Sequence, residues 1–120
     1  MFKEVFRMEE KSYFQIIKTL EPHHDGMADG SVLIDNIKTL EEAMQAFDDS
    51  IENEKLTIHH DKSYHLYEYF YKENDIILTL EKIKVDDEGE FLESEILAMK
   101  KLNDFYFKKD QEEENETKEE

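Results

Sequence analysis

Apolar residues recur along this chain with two different periods. The clearest is helical. Leu40, Ala43, Met44, Phe47 and Ile51 form one apolar stripe at helical spacing, while Glu41, Glu42, Gln45, Asp48, Asp49 and Glu52 lie on the opposite side. Thr39 followed three residues on by Glu42 makes a capping box. The pattern predicts a helix over 40–53. Acids near the end of such a helix oppose its macrodipole, so local stability does not account for them.

Upstream, Ser12 and Gln15 fit a second capping box. Tyr13, Phe14, Ile16, Ile17 and Leu20 follow at helical spacing. A short helix over 13–20, stopped by Pro22, is predicted, with a strand over the same residues as the alternative. Phe2, Val5 and Phe6 fit a helical turn or an edge strand equally well. Glu21 to Ser31 holds the sole proline and two of the three glycines, in Asp25-Gly26 and Asp29-Gly30, and reads as a loop. Val32-Leu33-Ile34 follows as a brief strand or packed connection.

From Lys55 the period changes to two. Leu56-Thr57-Ile58, Tyr64 to Tyr71 and Ile76 to Val85 are rich in β-branched and aromatic residues. Asp61-Lys62-Ser63 and Glu73-Asn74-Asp75 separate them as short polar turns, which predicts a three-stranded antiparallel meander. In its middle strand Tyr64, Leu66 and Phe70 share one face, and His65, Tyr67, Tyr69 and Tyr71 the other. Asp87 and Glu90 then open a helix over 88–107 that buries Leu92, Ile96, Met99, Leu102 and part of Phe105, Tyr106 and Phe107. The predicted class is α+β: the meander packed with two main helices and a short N-terminal helix.

Composition sets the scale. A chain of 120 residues, 38% apolar and 39% charged, has room for one core, and eight Phe and six Tyr offset its thin aliphatic content. Residues 110–120 contain nothing to bury and carry mostly acids, so a single domain over 1–109 with a disordered acidic tail over 110–120 is expected.

The net charge of −17 excludes more than it identifies. Nucleic-acid binders need clustered cations, and anionic membranes repel such a chain. A basic protein partner is the electrostatic complement. With no cysteine there are no disulfides, thiolate nucleophiles or Cys-ligated metals. Met1-Phe2-Lys3-Glu4-Val5 runs straight into charge, and no apolar stretch is long enough to span a bilayer, so a cytoplasmic location is expected.

Four constellations are candidates for function. His23-His24-Asp25 and His59-His60-Asp61 hold metal-ligand types, and a metal-dependent enzyme or sensor would need them brought together. Exposed turn-flanking pairs are the plainer account, and no metal or other cofactor is expected. No phosphate loop or nucleophile elbow is present, and carboxylate pairs are uninformative among so many acids, so an enzyme is not expected. Tyr67, Tyr69 and Tyr71 form either helix-covered core or an exposed patch suited to a partner or a homodimer. Finally, Glu41, Glu42, Asp48, Asp49 and Glu52 form either a solvated face or a negative patch for a Lys/Arg-lined groove. In composition alone the chain resembles the small acidic inhibitors of phages and bacteria, which include DNA mimics, anti-restriction and anti-CRISPR proteins and toxin immunity proteins. That resemblance implies an inhibitor occupying the basic site of a nucleic-acid-handling protein or toxin.

Overall fold

The computed structural model describes residues 11–107. The elements expected at Phe2–Phe6, the domain end near Lys109 and the acidic tail over 110–120 lie outside the described residues.

Among the described residues, the elements follow one another in the order β1 (Lys11–Pro22), β2 (Asp29–Ile37), α1 (Leu40–Ser63), α2 (Glu68–Glu73), β3 (Asn74–Val85) and β4 (Phe91–Lys101). The strands form one antiparallel sheet in the order β2-β1-β3-β4. The class is α+β, but the sheet has four strands where three were expected. Both β2 and β3 run antiparallel to β1, so they run parallel to each other. The chain must therefore travel back along the sheet between them. A helix of 24 residues does this, covering about 36 Å at 1.5 Å per residue.

The 13–20 segment is strand, not helix. Its register with β3 is unbroken from Lys11↔Val85 to Pro22↔Asn74, which makes it a central strand. Gln15, read as a capping partner, instead donates from Nε2 to Glu81 Oε1 on β3 at 3.0 Å. Phe14 and Ile16 are buried towards the helices, in one core with Ala43, Phe47, Ile58, Ile76, Leu78 and Leu80. Pro22, lacking an N–H, stands at the strand's last position.

Helix α1 begins where expected: Thr39 Oγ1 accepts the Glu42 N–H at 3.1 Å. It runs ten residues further than the predicted helix, through the stretch read as the first strand of the meander. The buried positions Ala43, Phe47, Ser50, Ile58 and Asp61 form one continuous stripe at helical spacing. Two of the five are polar, so the apolar pattern lapses while the helix continues. Leu56, read as a strand residue, is exposed. Asp48, Asp49 and Glu52 consequently lie in mid-helix and not at its end, away from the carbonyl pole of the macrodipole.

The helix closes on two hydrogen bonds, His65 N–H to Lys62 O at 3.1 Å and Leu66 N–H to Asp61 O at 2.7 Å. His65 is left-handed at φ 56°, which makes this a Schellman-type closure on a residue other than glycine. Tyr67, also left-handed at φ 61°, then precedes α2. The predicted strand from Tyr64 to Tyr71 is thus a helix closure, a turn and the start of α2.

The predicted helix over 88–107 is the edge strand β4, followed by helical residues 103–107. Asp86, not Asp87, organises the turn, with Oδ1 accepting the N–H groups of Glu88 and Glu90, each at 2.9 Å.

Candidate protein-interaction face and the histidine networks

Because Ala43, Phe47, Ser50 and Ile58 are held against the sheet, the far side of α1 is turned to solvent. Glu41, Glu42, Asp48, Asp49 and Glu52 are all exposed there, together with Gln45. From Glu41 to Glu52 the carboxylates extend along about 16 Å of helix axis. Gln45 Nε2 donates to Asp49 Oδ1 at 3.0 Å. Among the described residues, the ion pair on this face joins Lys55 Nζ to Glu52 Oε2 at 3.3 Å. Such an exposed pair neutralises little of the local field. Leu56 and Met44, 68% and 51% exposed, place apolar surface beside the acids.

The tyrosines do not share a face. Tyr67 and Tyr69 are exposed at the start of α2. Tyr71 is buried and stacks on Tyr106 with ring centroids 4.5 Å apart, so it is removed from the surface to which it was assigned. Its hydroxyl donates to Asp61 Oδ2 at 3.0 Å. Burial, followed by the hydrogen bond and the charge of Asp61, pushes the Tyr71 hydroxyl well above the ordinary tyrosine range. Tyr64, Leu66, Tyr67 and Tyr69 are each exposed beyond the end of α1. The tyrosine-bearing sheet face, the alternative surface for a homodimeric scaffold or assembly subunit, is therefore absent. The sheet face away from the helices carries Val32, Ile96 and Met99 instead, each more than half exposed.

The two His-His-Asp triplets enter separate networks. His23 Nε2 donates to Asp75 Oδ1 at 2.8 Å, and His24 Nε2 meets Glu73 Oε1 at 2.5 Å. The His23 hydrogen bond, with Lys101 Nζ at 3.4 Å adding to it, holds the Asp75 carboxyl below the usual carboxylate range. His59 and His60 are exposed on the last turns of α1, and His60 lies against the Tyr64 ring. Asp61 points inward to Tyr71. Among the described residues, no three His, Asp or Glu side chains are grouped so that they could hold a metal ion.

Sequence reasoning missed Asp61, Tyr71 and Asn103 as interior polar groups. The signal for Asp61 was its helical offset from Ala43, Phe47 and Ile58. Comparison with protein-family models, with curated proteins and with solved structures yields no match. Among the described residues, no helix is long and apolar enough to cross a membrane.

Proposed function

We propose that this chain is a small acidic protein-binding module that occupies a basic site on a nucleic-acid-handling protein or toxin. Glu41, Glu42, Asp48, Asp49 and Glu52 meet the partner's Lys and Arg side chains. Leu56, Tyr67 and Tyr69 supply the apolar contacts that fix the docked pose. The observation that carries this reading is the row of exposed carboxylates on one face of α1, within a chain of net charge −17. A basic groove pairs with such a row, and the attraction speeds encounter and makes it salt-sensitive. One helical turn separates neighbouring side chains by about 5–6 Å, near the roughly 7 Å between alternate charges along one duplex strand.

The test compares the wild type with Asp48→Lys/Asp49→Lys/Glu52→Lys, both immobilised and exposed to host lysate at about 0.1 and 0.5 M salt, where screening lengths differ about twofold. The expected result is a basic protein held by the wild type and absent from the variant. That protein, once purified, binds with an affinity that falls as salt rises. The same proteins retained on both surfaces, with unchanged salt dependence, would sink the proposal.

A further inference from the structure

A cavity of about 320 Å³ lies between α1, α2 and the β1–β3 centre of the sheet, away from the acidic face. Leu20, Ile58, Phe70, Ile76 and Leu102 give it apolar walls. Three charged side chains also line it, Lys18, Glu54 and Asp61. Lys18 Nζ and Glu54 Oε1 pair at 2.9 Å and cancel. Asp61 is 8% exposed, and among the described residues no cation forms an ion pair with it. Tyr71 occupies its Oδ2, and among the described residues Oδ1 has no hydrogen-bond partner. No fully buried side-chain oxygen among those residues lacks a partner. Oδ1 therefore keeps some access to solvent, on a residue that lines the cavity.

The geometry points to this cavity as a binding site for a small organic cation with an apolar body, whose ammonium group sits on Asp61. The volume is at the lower end for ligand pockets and admits a body of about six carbons. A desolvated carboxylate discriminates strongly: an ammonium satisfies it, a hydroxyl does so weakly, and a second carboxylate is repelled. Tyr71 holds the carboxylate in place through its hydroxyl, and the Lys18–Glu54 pair forms another part of the lining. This inference does not rest on the partner proposed for the outer face of α1, although Tyr67 belongs to both surfaces.

Titration of the full chain with n-hexylammonium, n-hexanol and n-hexanoate, followed by calorimetry and amide and methyl NMR, tests it. Hexylammonium is expected to bind at least tenfold more tightly than hexanol, with shifts at Leu20, Ile58 and Leu102, while hexanoate does not bind. Asp61→Asn is expected to reduce the ammonium to the level of the alcohol. Thr57 is an exposed residue at the cavity rim. Thr57→Arg places a competing guanidinium there and is expected to abolish binding in a folded protein, which decides the matter if Asp61→Asn does not fold. Nα-acetyl-lysine amide carries the same ammonium on a peptide. Binding as tight as hexylammonium assigns the site to a peptide lysine, and tenfold weaker binding assigns it to a free amine. Equal affinity for hexylammonium and hexanol, no binding of either, shifts confined to Glu41–Glu52, or ammonium binding that survives Thr57→Arg would each overturn the inference.

Discussion

Asn103 accepts the backbone N–H of Ile76 on its Oδ1 at 2.7 Å, and its Nδ2 returns hydrogen bonds to the carbonyls of Tyr71 and Asn74. One buried carboxamide thus satisfies three backbone groups where α2 turns into β3. Asn103→Ala leaves those groups without partners in an interior site. A cost of about 3 kcal/mol is expected, since each orphaned buried group costs of the order of 1–3 kcal/mol and some rehydrate. Urea denaturation measures it. A loss below about 1 kcal/mol would mean that water replaces the side chain.

Tyr71 and Asp61 make stability depend on alkaline pH. The folded protein raises the tyrosine's pKa, so its contribution is complete below the unfolded value of about 10 and is lost as pH rises towards the higher folded value. Wild-type stability should fall from about pH 10 upward. Tyr71→Phe should lower stability at pH 7 by about 1–2 kcal/mol, because Asp61 loses its donor. Its decline above pH 10 should be shallower. Parallel curves for the two proteins would show that other groups govern the alkaline limb.

At the acid end, Asp75 has the opposite sign. Its pKa is depressed, first by His23 and then by Lys101, so its contribution is present above the unfolded carboxylate value and fades as pH falls through the folded one. Asp75→Asn should cost less than about 1 kcal/mol at pH 7, as befits a partly solvated pair. The difference from wild type should shrink as pH falls below the ordinary carboxylate range and vanish once the folded carboxyl is protonated. A difference that persists there would show that Asp75 acts through packing.

The start of α1 and the strand from Ile76 to Val85 are legible because local and tertiary signals agree there. Thr39 caps, Ala43 and Phe47 face the core, and Leu78 and Leu80 pair across to Lys18 and Ile16. The second half of α1 is illegible by hydrophobicity because Ser50 and Asp61 occupy its buried stripe. β4 misleads for a different reason. Its register with β3 shifts twice, adding Leu92 and Leu97, so Phe91 and Ser94, like Ile96 and Met99, share a face at a spacing of three. Two bulges in a strand thereby imitate a helical period. The turn at His65 to Tyr67 lacks the glycine that marks left-handed backbone, so nothing in its composition signals it. Of the candidate interaction face, the carboxylates of α1 follow from periodicity alone. The burial of Tyr71 does not, because it depends on an Asp and a Tyr meeting across the α1–α2 turn.

The mid-helix acids make the final prediction. Glu41 and Glu42 stand in the first turn of α1, where the macrodipole favours them, but Asp48, Asp49 and Glu52 gain nothing from it. In a chain of net charge −17 they add repulsion to the folded state. The variant Asp48→Asn/Asp49→Asn/Glu52→Gln should be as stable as wild type or more stable by up to about 1 kcal/mol at 10 mM salt. Wild type should gain stability between 10 mM and 0.5 M salt as the screening length shrinks, and the variant should gain less. The same substitutions should weaken binding to the proposed basic partner. Stability and binding would then move in opposite directions, as expected of charges placed for recognition. If the variant is instead less stable and its salt response matches wild type, these carboxylates serve the fold, and the interaction face must be sought elsewhere.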